Sequence, residues 1–466
     1  MSDVAPSLAG WMARQRWYAS KGHTPKIRVI GSFESEVDDA LVMTLLVIDE
    51  GAPVPVLYQV PVVARTSPLP GGDAAFIGSA DGHYLYDGPH DPAYARQLLR
   101  SMAERAHVEG SDVTVDGHSL LDPGRVRRSR VLTGEQSNTS IIYDVVDGST
   151  EHVIAKVFRV LHHGENPDVT TQAALTEGGS TRVPRSFGSL TATWTDPGRD
   201  DGVALGHLAF SQEFLPGLDD AWRVALQAAT AGQDFTKEAY DLGVATAEVH
   251  ATLAENLPVV DAGPDEIEGA LVSMRRRIAT ASREVPEIAE HADAIRAVYD
   301  LVADRPWPRL QRIHGDLHLG QALSSPVQGW VLLDFEGEPL RPMPERSRPD
   351  LPLRDVAGML RSFDYVAGSL EHDTPRTSSR PIDAHGWAHD ARRAFVDGYI
   401  ASSGVDIRAD RALLDAFEID KAVYEAIYES RNRPTWVGIP VAAVARLVAR
   451  SAPGAGAAAT QADAGA

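Results

Sequence analysis

Residues 313–321 read IHGDLHLGQ and place His314, Asp316 and His318 within five positions of one another. Carboxylates and imidazoles at this spacing can act as acids and bases or as metal ligands. The two glycines of the stretch favour a loop, whereas a zinc site usually takes its ligands from one helix face or from separate elements. No GxSxG-type nucleophile elbow lies nearby, which disfavours a serine hydrolase. Taken alone, the stretch leaves catalysis and a structural role for its histidines equally open.

A second aspartate follows at a spacing that suits phosphoryl transfer. The apolar run WVLL leads to Asp334, eighteen residues after Asp316, and FEGEP follows directly. In that chemistry one carboxylate orients or deprotonates the attacking hydroxyl, and the other holds magnesium against the nucleotide phosphates. Gln321, five residues after Asp316, offers an amide oxygen as a further hard metal ligand. This spacing matches that of a kinase catalytic loop.

A lysine upstream is a candidate phosphate anchor. Lys156 lies in the β-type run IAKVFR, where such a lysine is more often a solvated residue on one face of a strand. Its neighbours are apolar on both sides, however, so its ammonium needs a partner, and a phosphate would be one. The preceding turn, TGEQSNTS, carries hydroxyl and amide side chains that can cover phosphates. These are Gln136, Ser137, Asn138, Thr139 and Ser140.

The composition excludes several classes of function. The chain has 466 residues, no cysteine and a formal net charge of −21. This charge disfavours a nucleic-acid surface, and the lack of cysteine excludes disulfides, thiolate metal sites and thiol nucleophiles. The N-terminus has no apolar core of signal-peptide length, and the most apolar run, at 41–48, is too short to span a bilayer. We therefore expect a cytoplasmic protein that contacts neither nucleic acid nor membrane.

These candidate residues need a fold that positions them. Alternating β-type runs at 26–66 predict an antiparallel sheet, and Asp91 begins a predicted helix at 91–106. A hairpin with a two-residue turn at Asp147-Gly148 is expected next, followed by a strand pair at 185–214. Beyond residue 217 the apolar spacing becomes mostly helical. The predicted segments are a cap at 1–110, a sheet-rich lobe at 111–217, a helical lobe at 218–450 and a disordered tail at 451–466.

Nine motifs run in order from near the N-terminus to residue 436. They are QRWYASKG at 15–22, GEQSNTS at 134–140, GENPD at 164–168, QEFLPG at 212–217, LGVATAEVH at 242–250, HGDLHLGQ at 314–321, LLDFEGEP at 332–339, LRDVAGMLRSFDY at 353–365 and DKAVYEAIYESRNRPTW at 420–436. Together they resemble the aminoglycoside phosphotransferase-like kinases and, more closely, the actinobacterial maltokinases, which are also found fused to trehalose synthase.

The resemblance implies a fold and an activity. The expected fold is α+β, a bilobal eukaryotic-protein-kinase-like fold with an N-terminal cap of antiparallel sheet and helices and a mostly helical C-terminal lobe. The expected reaction uses ATP and Mg²⁺ and transfers the γ-phosphate to the anomeric hydroxyl of maltose. The product, maltose 1-phosphate, would feed α-glucan (glycogen) synthesis. The resemblance also implies association with trehalose synthase, and we expect a monomer.

Residue roles follow from the same resemblance. Asp316 is the expected catalytic base, Gln321 and Asp334 the magnesium ligands, and Lys156 the phosphate-binding lysine. The adenine-contacting hinge consists of Gln212, Glu213, Phe214 and Leu215. His314, His250 and Asp355 are expected to support the catalytic loop. Where these maltokinases carry a glutamate partner for the lysine, this chain has Thr170, so that Glu165, Glu177 or the nucleotide alone would have to orient Lys156.

The helix predicted from DKAVYEAIYESRNRP is the candidate sugar site. Tyrosine rings can stack on sugar faces while carboxylates accept hydrogen bonds from hydroxyls, although such stripes on helices are as often core residues and solvated ion pairs. The expected sugar-binding residues are Asp420, Lys421, Tyr424, Glu425, Tyr428 and Arg431. The acidic side chains also suit an amino sugar, so a glucosamine kinase, or another aminoglycoside phosphotransferase-like small-molecule kinase, is the alternative. A non-catalytic sugar- or nucleotide-binding regulator and a metallohydrolase are hypotheses from other classes.

Overall fold

The computed structural model describes residues 4–51, 54–132, 138–373 and 383–451. Five residues of the predicted phosphate-covering turn, positions 133–137, lie outside the described residues, and they include Gln136 and Ser137. The same is true of positions 452–466 in the predicted tail.

The chain divides into two compact units. Unit 1 consists of Met1–Glu177 and Pro184–Gly217, and unit 2 of Gly178–Val183 and Leu218–Ala466. Unit 1 is rich in sheet and unit 2 is mostly helical, which confirms the predicted α+β class. Within the described ranges, no helix combines the length and the apolar character needed to cross a membrane.

Unit 1 begins with a five-stranded sheet. Its elements in chain order are α1 (Val4–Met12), β1 (Ile27–Val37), β2 (Ala40–Asp49), β3 (Val56–Arg65), β4 (Phe76–Ala80) and β5 (His83–Asp87). The strands pair antiparallel in the order β1-β2-β3-β5-β4, which confirms the sheet predicted at 26–66. Side chains alternate between its faces. Met43 and Leu45 of β2 therefore pack in one core with Trp17, and Val42 and Leu46 in a second core.

A seven-stranded sheet completes unit 1. Its elements are α2 (Pro92–Ala103), β6 (His107–Glu109), β7 (Val113–Ser119), β8 (Arg125–Val131), β9 (Asn138–Val146), β10 (His152–Phe158), α3 (Pro167–Glu177), β11 (Ser186–Thr195) and β12 (Val203–Glu213). The strand order is β6-β7-β11-β12-β10-β9-β8. The predicted strand pair at 185–214 is confirmed as β11 and β12. The predicted helix start is also confirmed, because the Asp91 side chain accepts a hydrogen bond from the backbone N–H of Ala93.

The hairpin between β9 and β10 differs from its prediction. The connection spans residues 147–151, so the predicted two-residue turn is wrong. Asp147 adopts the expected positive φ of 62°. Gly148, however, lies so close to neighbouring backbone that a Cβ there would come within 2.8 Å of the Pro123 carbonyl oxygen. This packing against residues 123–124 draws further residues into the loop.

Unit 2 confirms the helical region predicted after residue 217. Its elements are α4 (Ala221–Ala231), α5 (Thr236–Asn256), α6 (Pro264–Glu284), α7 (Pro286–Ala303), β13 (Ala322–Ser325), β14 (Gly329–Leu332), α8 (Met343–Arg346), α9 (Leu353–Asp373), α10 (Ala384–Ser403), α11 (Arg411–Asn432) and α12 (Gly438–Ser451). β13 and β14 form a short antiparallel hairpin directly after residues 313–321. Residues 313–321 and Asp334 therefore flank one small hairpin among the helices.

Helices α5 and α10 approach each other through two glycines. A Cβ on Gly243 would lie 2.1 Å from the carbonyl oxygen of Phe395, and one on Gly398 would lie 2.0 Å from that of Tyr240. Real Cβ atoms do not come this close to a backbone oxygen, so any larger residue would push the helices apart. The two glycines thus set the distance between these helices.

Candidate active site

The backbone of the predicted catalytic loop, residues 313–321, is held by one buried carboxylate. Asp355, in the first turn of α9, accepts hydrogen bonds of 2.8 Å from the N–H groups of His314 and Gly315. It also lies 2.9 Å from Nε2 of His250, whose Nδ1 is 3.0 Å from the hydroxyl of Tyr399. Burial alone would raise the pKa of Asp355, but the hydrogen bond to His250, the positive charge nearby and the backbone N–H groups outweigh it and lower that pKa. The carboxylate thus fixes the loop in its charged form.

His314 spans the loop. Its Nε2 lies 2.8 Å from the carbonyl oxygen of Leu333, and its Nδ1 accepts a hydrogen bond of 3.3 Å from the N–H of Asp316. These contacts assign the proton to Nε2, which donates to Leu333. The ring also stacks against Phe335 at a centroid distance of 4.6 Å. All of its polar atoms are therefore used within the protein.

The two predicted magnesium ligands lie side by side. The amide nitrogen of Gln321 donates a hydrogen bond of 3.1 Å to the carboxylate of Asp334. The N–H of Leu333 donates to the carbonyl oxygen of Gln321, so the hairpin fixes both residues. Asp334 has a φ of 63°, a left-handed conformation that few residues other than glycine adopt. A carboxylate and an amide oxygen at one point are the hard donors that Mg²⁺ prefers.

His318 shows no metal-site geometry. Its Nδ1 accepts a hydrogen bond of 3.0 Å from the N–H of Gly320, at the start of a short 3-10 turn. Burial lowers the pKa of His318, which favours the neutral ring that this contact requires. Within the described ranges, His314, Asp316 and His318 do not form a three-ligand cluster. The zinc interpretation of the opening motif therefore finds no support.

A cavity of about 440 Å³ opens beside Asp316. One face of α11 forms much of its wall, and the spacing of that face is i, i+3, i+4, i+7 and i+8, as expected for one helical stripe. The α11 residues of the wall are Lys421, Tyr424, Glu425, Tyr428 and Glu429. The cavity therefore contains Asp316 together with four of the six predicted sugar-binding residues.

Asp420 and Arg431 do not line this cavity. They lie eleven positions apart, which brings them to the same flank of α11, and that flank faces α6. Asp420 is fully buried and pairs with Arg277 at 2.5 Å, and Arg431 makes a two-point ion pair with Glu284. The prediction placed these two residues in the sugar site, whereas the structure uses them to hold α11 against α6.

The charges that line the cavity are paired with one another or with groups just behind the wall. Glu425 accepts two hydrogen bonds from Arg361, at 3.0 and 2.8 Å. Burial raises the pKa of Glu425, and Arg361 offsets only part of that effect. Glu429 accepts hydrogen bonds from Arg433 and from the hydroxyl of Tyr365. Each of these carboxylates therefore has an arginine that balances its charge.

Lys421 bridges Asp316 to a carboxylate that the sequence did not single out. Its ammonium lies 2.7 Å from Oδ1 of Asp316 and 3.0 Å from Oε1 of Glu338. Burial alone would lower the pKa of Lys421, but these two carboxylates outweigh it and raise that pKa well above its ordinary value. Lys421 is therefore a permanent cation beside Asp316.

In unit 1, Lys156 has a partner that the sequence analysis missed. Its ammonium lies 2.7 Å from the carboxylate of Asp168, which is fully buried at the start of α3. Among the described residues, Glu177 forms no ion pair with Lys156. Asp168 is part of the GENPD motif and lies two positions before Thr170. Asp168, one methylene shorter than the expected glutamate, thus pairs with Lys156 from an earlier position of the same helix.

The other predicted ATP-binding residues lie in strands and at a strand end. Asn138, Thr139 and Ser140 begin β9 and do not form a turn. The Thr139 hydroxyl is buried and accepts a hydrogen bond of 2.8 Å from Arg159. The predicted hinge residues end β12 or follow it directly. Glu213 pairs with Arg185 at 2.9 Å. The N–H of Phe214 donates a hydrogen bond to the carbonyl oxygen of His152. The structure itself assigns no nucleotide contact to these residues.

Comparison with known proteins decides the family. A family model described as "Phosphotransferase enzyme family" matches residues 169–413, more than half of the chain. The chain belongs to this phosphotransferase family. A second model, "Maltokinase N-terminal cap domain", matches residues 11–91 of the phosphotransferase.

Two curated relatives of this phosphotransferase are glucosamine kinases. The one from Streptacidiphilus jiangxiensis is 29% identical over 74% of this chain and 79% of the relative. The one from Mycolicibacterium smegmatis (strain ATCC 700084 / mc(2)155) is 26% identical over 80% of this chain and 92% of the relative. A solved structure, a glucosamine kinase in complex with glucosamine, ADP and inorganic phosphate, has a TM-score of 0.68 at 22% identity, covering 94% of this chain and 98% of the other. The last similarity shows the shared fold.

Several cavity residues of the phosphotransferase escaped the sequence analysis. Arg433 and Trp436 belong to the quoted motif RNRPTW, and the guanidinium of Arg433 lies 4.9 Å from the ring of Trp436. Their position two and five residues after a predicted sugar-binding arginine was an available signal. Trp222 and Tyr365 also line the cavity. They come from α4 and α9, and no local pattern links them to α11.

Proposed function

We propose that this phosphotransferase transfers the γ-phosphoryl group of ATP to the anomeric hydroxyl of maltose, giving maltose 1-phosphate for α-glucan synthesis. The observation that carries the proposal is the cavity beside Asp316, which is wide, rich in aromatic rings and electrically balanced. Its volume lies within the range of about 300–1,000 Å³ typical of small-molecule sites. The match to a maltokinase N-terminal cap domain supports the choice of maltose.

The paired charges favour a neutral sugar over an amino sugar. An ammonium group needs an acidic partner that is not already neutralised, because a buried unpaired charge is costly. Glu425 and Glu429 already accept hydrogen bonds from Arg361 and Arg433. Lys421 adds a cation to the same wall. Paired carboxylates retain lone pairs for the hydroxyl groups of a neutral sugar, and tyrosine and tryptophan rings offer faces for stacking.

The proposed mechanism assigns proton transfer to Asp316. Lys421 holds Oδ1 of Asp316, and Oδ2 makes no hydrogen bond among the described residues, so that it can accept the proton of the sugar hydroxyl. Gln321 and Asp334 would hold Mg²⁺, which neutralises charge on the nucleotide phosphates. Lys156, oriented by Asp168, would anchor phosphate oxygens, and the end of β12 would contact adenine.

Glucosamine is the second candidate acceptor. It is supported by the two relatives named as glucosamine kinases. A non-catalytic regulator is disfavoured because Lys156, Asp316, Gln321 and Asp334 are all present. The association with trehalose synthase remains a prediction that co-purification would test.

The test is an ATP-consumption screen with magnesium across maltose, glucose, glucosamine and aminoglycosides. The phosphorylated carbon of each product is then identified by NMR. We expect maltose to be the preferred acceptor and its anomeric position to carry the phosphate. Turnover of glucosamine alone would refute the choice of maltose. Asp316→Asn should lower kcat by about 10²- to 10⁴-fold with little change in ATP binding, and unaltered turnover would refute the role of Asp316.

A further inference from the structure

A row of buried charges runs inward from the catalytic loop. Lys421 contacts Asp316 on one side and Glu338 on the other. The second oxygen of Glu338 lies 3.5 Å from a guanidinium nitrogen of Arg277, which in turn pairs with Asp420. Signs alternate along this row of Asp316, Lys421, Glu338, Arg277 and Asp420. Only the first member of the row, Asp316, belongs to residues 313–321.

We propose that Glu338 is a positioning residue for phosphoryl transfer: by sharing the ammonium of Lys421, it fixes the rotamer of Asp316 and offsets the positive charge beside it. Glu338 is 1% exposed and lies at the end of the LLDFEGEP motif. Glu338 acts on Asp316 only through Lys421. The inference rests on the proposed role of Asp316 and extends it.

The charge-sharing role follows from the geometry of Lys421. An ammonium with Asp316 as its only acidic neighbour would stabilise the carboxylate and weaken it as a base. A second carboxylate on the same ammonium opposes that effect, because its negative charge raises the proton affinity of nearby acids. It also gives Lys421 a second fixed partner, so that the ammonium does not swing with the carboxylate of Asp316. A base held in one rotamer can meet the sugar hydroxyl in line with the phosphoryl group.

The charge of Glu338 is itself secured by its surroundings. Burial alone would raise the pKa of Glu338, but Lys421 and Arg277 outweigh it and lower that pKa well below its ordinary range. These cations therefore favour the ionised form of Glu338. Other charged or titratable groups that face the row are Arg341, Arg354, Tyr299, Tyr424, His318 and Arg346.

The test compares three variants with the wild-type protein. Glu338→Gln keeps the shape and an acceptor for Lys421 but removes the charge. Glu338→Asp keeps the charge but shortens the reach. Glu345→Gln, on the nearby helix α8, is the matched control, because Glu345 forms no side-chain ion pair among the described residues. The measurements are kcat, KM for ATP, and the pH profile of kcat/KM.

For Glu338→Gln we expect kcat to fall about tenfold to a hundredfold with KM for ATP unchanged. The acid limb of the profile should move to lower pH by about half a unit to one unit, because the unshared ammonium then stabilises the carboxylate of Asp316. In Glu338→Asp, kcat should fall while the acid limb stays in place. Glu345→Gln should match the wild type. An unmoved acid limb in Glu338→Gln, whatever its kcat, would overturn the proposal.

Two further measurements keep the inference testable. If Glu338→Gln does not fold, Arg277→Gln probes the same row from the other side and should move the acid limb to higher pH; an unmoved limb would count against the proposal. If the wild type phosphorylates none of the sugars screened, the proposed function fails separately. Crystal structures then decide the inference, because unchanged positions of the Lys421 ammonium and the Asp316 carboxylate in Glu338→Asp would contradict it.

Discussion

Nε2 of His314 donates a hydrogen bond of 2.8 Å to the carbonyl oxygen of Leu333. Leu333 directly precedes Asp334, and the same imidazole accepts a hydrogen bond from the N–H of Asp316. One neutral ring therefore connects the backbone of the proposed base to that of a proposed metal ligand. We therefore expect the alignment of the two carboxylates to depend on this ring.

Replacing His314 by alanine should lower kcat by about tenfold to a hundredfold, because small displacements of catalytic groups have effects of this size. The free energy of unfolding should fall by about 1–3 kcal/mol, since buried hydrogen-bond partners are left unsatisfied. Steady-state kinetics and urea titration measure the two effects. His389→Ala, at an exposed position of α10, is the control. A His314→Ala protein with wild-type kcat would show that the ring does not align the loop.

Asp168→Asn should weaken ATP binding, because Lys156 loses the carboxylate 2.7 Å from its ammonium. We expect KM for ATP to rise about tenfold to a hundredfold, as for loss of a buried charged partner worth about 1.5–3 kcal/mol. Glu177→Gln, on the same helix, is the matched control, and it should leave KM unchanged. Equal effects of the two substitutions would contradict the assignment of Asp168 as the partner.

The sequence predicts most elements of the fold because their signals are local. The alternating segment at 26–66 forms the expected antiparallel strands, and the segments with helical spacing after residue 217 form helices. The catalytic loop is recognisable for the same reason, since Asp316, Gln321 and Asp334 lie within nineteen residues. Tertiary neighbours leave no such local signal. A stripe on a helix shows which residues share a face, but not which helix that face meets, and Asp420, predicted to bind the sugar, faces α6.

Ion pairs between distant positions had no local signal. Lys421 and Glu338 are 83 residues apart, and Lys421 and Asp316 are 105 residues apart. The partner of Lys156 was missed for a different reason. The family resemblance places a glutamate at the position occupied by Thr170, whereas an aspartate two positions earlier in the same helix reaches the same ammonium.

Trp436→Ala should distinguish a disaccharide from a monosaccharide. Trp436 lines the cavity and lies beside Arg433. If its ring stacks on the second glucose unit of maltose, KM for maltose should rise about tenfold, which corresponds to about 1.4 kcal/mol, while kinetics with glucose stay unchanged. Tyr240→Ala, at an exposed aromatic position on α5, is the control. An equal rise in KM for both sugars would place the ring against the first glucose unit.

Acid should destabilise unit 2 through its buried carboxylates. Burial alone would raise the pKa values of Asp350, Asp355 and Asp364, but their cationic and hydrogen-bond partners lower them. A pKa lowered on folding stabilises the protein above the unfolded-state pKa, and this stability is lost as pH falls through the folded-state value. We therefore expect the free energy of unfolding to decrease below about pH 4. Urea titrations between pH 7 and pH 3 measure the decrease, and Asp355→Asn should reduce its slope; an unchanged slope would exclude Asp355 as a contributor.

Gly243 and Gly398 allow α5 and α10 to meet backbone to backbone. His250 lies two turns beyond Gly243, and Tyr399 follows Gly398, so the spacing of this helix pair sets the hydrogen bond between His250 and Tyr399. That spacing reaches the catalytic loop through His250 and Asp355. Two glycines outside the cavity therefore set the position of residues 313–315, and we expect a larger residue at either position to lower turnover as well as stability.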